Sequence, residues 1–221
     1  MKILQIDFKG WTATPRDPTT KVGTINCLMT PSYSILVGLI ECCVGEKINV
    51  KGLQLGFWYY FDRDFSDLET TRRLQRSPDS GNLSKNKDMS ITLRKSHVTP
   101  QLTLFLNRLE YKHCFESPVG IPSLGQSQDL IWIEKITVVD GEYVSNGTFS
   151  SGMVLMSDGI AAGEIVRCAD SFVENEIGDG RYPRHQDIFI SINGESQNYK
   201  SKKNNIFTSK QLEEDVYLYQ F

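Results

Sequence analysis

Residues 53–61, Leu-Gln-Leu-Gly-Phe-Trp-Tyr-Tyr-Phe, leave this chain little freedom in how it folds. Leu53, Leu55, Phe57, Tyr59 and Phe61 alternate strictly with Gln54, Gly56, Trp58 and Tyr60. Side chains on a strand point alternately to opposite faces, so this run is predicted to lie extended with one wholly apolar face. A strand of that kind needs a second layer to cover it. The opposite face carries Trp58 and Tyr60, which serve either to stack nucleobases or to pack beneath a further layer.

Other segments supply that layer. Residues 2–8 alternate Leu4, Ile6 and Phe8 against Ile3, Gln5 and Asp7 and predict a strand. Lys9 to Asn26 reads as a loop rich in Gly, Thr and Pro. Thr30-Pro31-Ser32 then predicts a helix over 31–44, with Thr30 as N-cap and Pro31 at the first helical position, where a missing N–H does no harm. Ile35, Leu36, Leu39, Ile40 and Cys43 follow at helical spacing, and Gly45 is placed to end the helix in the left-handed conformation. Residues 101–106 alternate again, and 111–115 reads as a continuation of that strand after a turn at 107–110. Gly120 to Ser127 is a loop, 131–139 a strand, and Asp140-Gly141 a tight turn. Short β-like pieces near 142–149, 153–156, 161–167, 187–192 and 215–221 complete the pattern.

Between 62 and 100 the periodicity dissolves, and residues 77–90 are mostly Ser, Asn, Asp, Gly and Lys. An excursion of this length inside a compact chain is commonly functional or disordered. Its charge singles it out. The chain has 24 Lys+Arg, 27 Asp+Glu and a net charge of −3. Seven of those bases (Arg72, Arg73, Arg76, Lys85, Lys87, Arg94, Lys95) and only two of the acids lie between Arg72 and His97, so that segment is +5 and the remainder −8. An acidic body with one basic arm points to a localised anionic partner, not to a general polyanion-binding surface.

Several function classes are excluded by what the chain lacks. No stretch approaches the ~18–20 apolar residues that span a bilayer, and the alternating N-terminus does not resemble a signal peptide, so a cytoplasmic location is expected. The five cysteines (27, 42, 43, 114, 168) contain no Cys-x-x-Cys pair, so neither a disulfide framework nor a metal site is expected. There is no P-loop and no dinucleotide fingerprint, and no cofactor is expected.

The predicted order of elements is strand, helix, strand, long excursion, strand, then more strands. That order specifies an α+β protein whose first half resembles a ferredoxin-like (RRM-like) βαββαβ unit, an antiparallel sheet with covering helices and one open face. The expected division is residues 1–139 for this unit, including the excursion at about 66–100, and 140–221 for a C-terminal β-rich extension packed on the same core.

Three segments carry a resemblance to a known family. Phe8-Lys9-Gly10-Trp11-Thr12-Ala13-Thr14-Pro15-Arg16 is similar to a strand ending in a small-residue loop with an Arg, with Pro15 in place of the usual aromatic. Thr30-Pro31-Ser32 through Gly45 is similar to a Pro/Ser-started helix that ends in Gly. Ser123-Leu124-Gly125-Gln126-Ser127-Gln128-Asp129-Leu130-Ile131-Trp132-Ile133 resembles a Leu-Gly-x-Ser-x-Asp-Leu loop and strand, with Gln126 where Arg is usual. Together they resemble Cas family five of the CRISPR-associated proteins, the RAMP-type subunit of type I Cascade complexes.

The resemblance implies a ferredoxin-like domain with a thumb, at the position of the 66–100 excursion. It implies a subunit that caps the 5′ handle of the crRNA, touches the backbone and large subunits, and lies near target DNA, in defence or in RNA-guided transposition. Arg16 and the basic residues of the excursion are the expected RNA contacts, together with the loop Gly125, Gln126 and Ser127, whose backbone N–H groups are suited to phosphates. A non-catalytic role is expected. The alternatives are a docking module that touches only protein, and a metal-independent endoribonuclease. One branch of the family cuts precursor crRNA with Tyr, Lys and His, and Tyr111, Lys112 and His113 are the matching candidates for base, acid and charge stabiliser.

Overall fold

The computed structural model describes residues 1–20, 23–77, 80–174 and 180–221, including all of their side chains except those of 73 and 84–88. Strand makes up 54% of the chain and helix 10%, so the protein is mostly β, built from several antiparallel sheets with a thin helical layer.

The main elements are β1 (Lys2–Gly10), α1 (Tyr33–Val44), β2 (Gln54–Tyr60), β3 (Arg63–Arg76), β4 (Leu83–Val98), β5 (Gln101–Leu106), α2 (Lys112–Glu116), β6 (Ile131–Asp140), β7 (Asn146–Leu155), β8 (Glu164–Ala169) and β9 (Gln186–Lys200). The central sheet runs Tyr219–Gln220, β2, β5, β1, β6, every pair antiparallel. Its register sets Leu4 opposite Leu106 and Leu106 opposite Leu55. The even residues of β1 therefore share a face with the odd residues of β2, and α1 covers that face with Leu36, Leu39, Ile40 and Cys43. A second sheet, in the order β7-β9-β8, buries Met153, Val154, Phe189 and Ile192 in the same cluster.

The strands at 2–8, 53–61 and 131–139 and the helix closed by Gly45 (φ 87°) are found as expected. The helix start differs. Ser32, not Thr30, is the N-cap, and Pro31 precedes it, because the Thr30 hydroxyl is bonded to Ser191 Oγ at 2.8 Å and is not free to cap. Residues 111–115 are helical, not extended. Phe115 turns inward to meet Phe8 at 6.2 Å, and five residues are too few for alternation to tell a strand from a turn of helix. Trp58 packs under a further layer. Its ring lies edge-on to Phe105, its indole N–H donates to Asp215 O at 3.1 Å, and Ile3, Phe105, Val139, Phe207, Val216 and Leu218 form a second small core on that side.

Tyr33 joins all these layers. It is fully buried, stacks on Tyr219 at 4.6 Å, meets Phe57 and Phe189 at 5.8 and 5.5 Å, and donates to Met153 O at 2.5 Å. Tyr33→Phe keeps the ring but strands a buried carbonyl, and is expected to destabilise the fold by about 1–3 kcal/mol. Tyr33→Ala also leaves a cavity and is expected to cost about 3–5 kcal/mol. Equilibrium denaturation of both variants checks the order.

Candidate nucleic-acid interface

The polar excursion is a β-hairpin, β3 with β4, whose register shifts between Arg72 and Leu74. Strands of this length reach roughly 45 Å at ~3.3 Å per residue. Among the described residues, further strands flank it at its root. There β4 is flanked by Thr12–Ala13, antiparallel, and by Thr24–Ile25, parallel. Toward the tip, beyond Leu68 and Leu93, the described residues form two strands alone.

Directly paired residues share a face, so the register separates the ribbon into two surfaces. One carries Ser66/Lys95, Leu68/Leu93, Thr70/Ile91 and Arg72/Met89. Leu68, Ile91 and Met89 are 65%, 63% and 63% exposed. The other carries Phe65/Ser96, Asp67/Arg94, Glu69/Thr92 and Thr71/Ser90. The first surface carries the aliphatic row with Arg72 and Lys95, and Asp64 at its root; the second is more polar and holds Arg63 and Arg94 beside Asp67 and Glu69. The alternation Met89, Ile91, Leu93 was visible in the sequence as the signature of such a strand, but the charged and small residues between and around it masked it.

The candidate residues fall in different places. Arg72 is exposed on the first surface, and Lys95 is half-buried on it. Arg76 is exposed near the tip and donates from Nε to Gly81 O at 3.2 Å. Arg94 lies on the opposite surface in an ion pair with Glu69, and its Nε and Nη1 are buried without partners. The side chains of Arg73, Lys85 and Lys87 lie outside those described. Arg16 is exposed and donates to Thr20 O at 3.3 Å. With Gly125, Thr14, Ser32 and Ser34 it lines a cleft of about 230 Å³.

The glycine loop is drawn inward by a residue that the site prediction omitted. Asp129 is buried, and its carboxylate accepts from Thr12 Oγ at 2.7 Å and from the Gln126 backbone N–H at 3.1 Å. The chain's own acid therefore occupies that N–H. Gly125 sits at φ 117°, so close to Thr14 that a Cβ would overlap the Thr14 carbonyl, and Thr14 N donates to Leu124 O at 3.0 Å. Ser127 stays exposed. The strip Thr12–Thr14 is thus clasped by the glycine loop on one side and by β4 on the other, where Thr14 Oγ meets Ser96 Oγ at 3.0 Å.

A buried histidine locks the root. His97 stacks on Phe61 with ring centroids 3.7 Å apart, and its Nδ1 lies 2.8 Å from Tyr59 Oη. Burial lowers its pKa to about 4, although Asp64 pulls the other way. Tyr111, Lys112 and His113 stand elsewhere, on α2 and the short 3-10 turn before it. Lys112 Nζ is 3.4 Å from Glu116, and His113 Nε2 is 3.3 Å from Cys114 Sγ. Burial raises the Tyr111 phenol. Among the described residues no cluster of three or more His, Cys, Asp or Glu is placed to hold a metal, and no helix is long and apolar enough to cross a membrane.

No family model matches the chain, and no curated protein matches it. Solved structures do match in fold. A chain titled "CRISPR RNA-guided surveillance complex" superposes with a TM-score of 0.54 at 12% identity, covering 90% of this chain and 91% of that one. A "CRISPR protein from Archaeoglobus fulgidus" superposes with a TM-score of 0.52 at 13% identity, covering 100% of each. The protein therefore has the fold of proteins found in CRISPR systems.

Two outcomes test this geometry. Asp129→Ala leaves two half-buried donors without their acceptor and is expected to destabilise the protein by about 1–2 kcal/mol, with Asp129→Asn milder, in denaturant titrations. The unfolded His97 takes up a proton near pH 6.5 and the folded one only near pH 4. Stability is therefore expected to fall as pH drops through that window, by at most ~1.4 kcal/mol per pH unit, and to be insensitive to this group above it. Unfolding midpoints at a series of pH values, with His97→Gln as the flattened control, check this.

Proposed function

We propose that this chain is a non-catalytic subunit of a CRISPR ribonucleoprotein that holds the 5′ handle of the guide RNA along its β3–β4 hairpin. The observation that carries the reading is the two-faced hairpin. A lone ribbon with Leu68, Ile91 and Met89 in solvent beside Arg72 and Lys95 gains stability when a partner with both apolar faces and negative charge covers it. Unpaired RNA is such a partner, since its phosphates take the cations and its splayed bases take the apolar side chains. On the other surface Arg94 is taken up by its ion pair with Glu69, and the row of exposed aliphatic side chains is missing, which favours the Arg72 side for RNA.

Two further points support the reading. The order β2-β5-β1-β6, with helices after β1 and after β5, is that of a ferredoxin-like unit interrupted by a thumb between its second and third strands. The solved structures that share the fold carry CRISPR titles. In this reading residues 1–139 form the RAMP-type unit and 140–221 its extension. The backbone and large subunits of a Cascade complex are the protein partners, and target DNA is read by the guide, not by this chain. Lys112 and His113 lie on the short α2, with Lys112 beside Glu116 and His113 beside Cys114, and the cleavage assay below decides between holding RNA and cutting it.

The test uses the purified chain and labelled guide RNA in EDTA, on native and denaturing gels across a salt series. The expected result is a shift with intact RNA whose log affinity falls linearly with log salt. Arg72→Ala, Arg76→Ala and Lys95→Ala together are expected to lower affinity by about 10-fold or more and to reduce the slope by about one per lost phosphate contact. Site-specific cleavage abolished by His113→Ala would overturn the reading in favour of a ribonuclease. Complete absence of binding would overturn it in favour of a docking module that touches only protein.

A further inference from the structure

We infer that Trp11 and Trp132 form a stacking site for one unpaired nucleobase, beside the hairpin root at the β1–β6 edge of the central sheet. The inference rests on the RNA-holding reading and adds to it a site for a base.

Trp11 follows directly on β1 and is 74% exposed, and Trp132 lies on β6 and is 40% exposed. Their ring centroids are 5.8 Å apart with planes at 54°, so they lean on each other and leave most of the Trp11 ring in solvent. The Trp132 ring and the Trp11 backbone are both held. The Trp132 indole N–H donates to Glu134 Oε1 at 2.8 Å, and Lys9 Nζ is 3.0 Å from Glu134 Oε2. The Trp11 carbonyl accepts the Thr99 N–H at 2.9 Å, and the next residue, Thr12, pairs with Val98 at the end of β4.

The surroundings decide what covers the pair. Trp132 pairs across from Lys9, and Lys9 pairs across from Gln101, so these share a face with Asp7, Thr103 and Lys135. The sheet face beside the aromatics is polar, and at the sheet edge Trp132 also borders a groove with Phe115, Pro122 and Ile133. Lys9 and Glu134 neutralise one another at the edge of the Trp132 ring, so what the pair offers is a flat π surface and not a phosphate site. Lys135, opposite Asp7 on the same face, is exposed and free to take a flanking phosphate. Gln5 Nε2 and Thr103 Oγ both donate to Asp7 Oδ1, at 3.0 and 2.9 Å, forming a fixed polar row farther up the same face. The ligand is one unpaired base of the RNA. Stacking of this kind tolerates any base.

The test is a tryptophan-fluorescence titration of the full chain with single-stranded guide RNA, repeated across salt. Binding is expected to quench emission. Trp11→Ala is expected to weaken binding about 10-fold with an unchanged salt slope, and Trp11→Phe to restore most of the loss. Trp132→Ala is expected to act in the same direction, and unfolding curves confirm that the exposed substitutions leave the fold intact. Wild-type affinity and slope in both alanine variants, while the hairpin charge variants lose binding, would overturn the stacking site and leave the RNA-holding reading standing. Absence of RNA binding by the wild-type chain overturns both. Unchanged RNA affinity with lost association to a protein subunit also overturns it and assigns the pair to that subunit.

Discussion

Everything else in this fold is hung on the burial of Tyr33. Its ring stands at the first turn of α1 and touches the central sheet through Phe57, the second sheet through Phe189 and the returning tail through Tyr219. Its hydroxyl is satisfied by a carbonyl of β7. A phenylalanine of the same size would fill the space without tying β7 to the helix. With the ring in place, α1 lies flat on β1 and β2, and β1 can extend past the helix to deliver Trp11 and the Thr12–Thr14 strip to the hairpin. The proposed RNA surface is therefore remote from Tyr33 yet oriented by it.

The hairpin is the least self-sufficient part of the molecule. A two-stranded ribbon is marginal in water on its own. Here its root is held by the stack of His97 on Phe61, the Tyr59 contact and the clasp around Thr12–Thr14, while its far half exposes apolar side chains. A rigid root with an unsatisfied arm is well suited to an element completed by a partner. It also separates two kinds of lesion. Changes at Asp129, Gly125 or His97 act on the anchor and are felt as stability, whereas changes at Arg72 or Met89 act on the arm and leave the body folded.

Much of the architecture was legible because burial writes a period into sequence. β1, β2 and β6 each bury one face of their side chains, so alternation identified them, and Gly45 identified the end of α1 because a left-handed residue was needed there. The failures have physical causes. The hairpin buries almost nothing beyond its root, so its alternation of Met89, Ile91 and Leu93 read as noise in a polar stretch. Thr30 looked like a cap because capping is local, and its engagement with Ser191, 161 residues away in sequence, is not. Of the candidate site, Arg16 and Gly125 do meet in one cleft. The most specific motif, Leu-Gly-x-Ser-x-Asp-Leu, was read for its glycine and amides. Its aspartate is what turns inward and closes the loop.

The sheet order carries a consequence for how such a molecule is made. β1 pairs with β5 and β6, whose partner residues lie roughly a hundred or more positions later, and β2 receives its outer neighbour only from Tyr219–Gln220. A nascent chain emerging from the ribosome thus carries the Trp58 face of the sheet uncovered until Phe207, Val216 and Leu218 are made. High sequence separation between contacting strands slows closure and prolongs that exposure. The order of synthesis makes the hairpin and the first helix available early and the lid over Trp58 last, so a chain interrupted before residue 215 would present an open aromatic sheet to chaperones and to its neighbours.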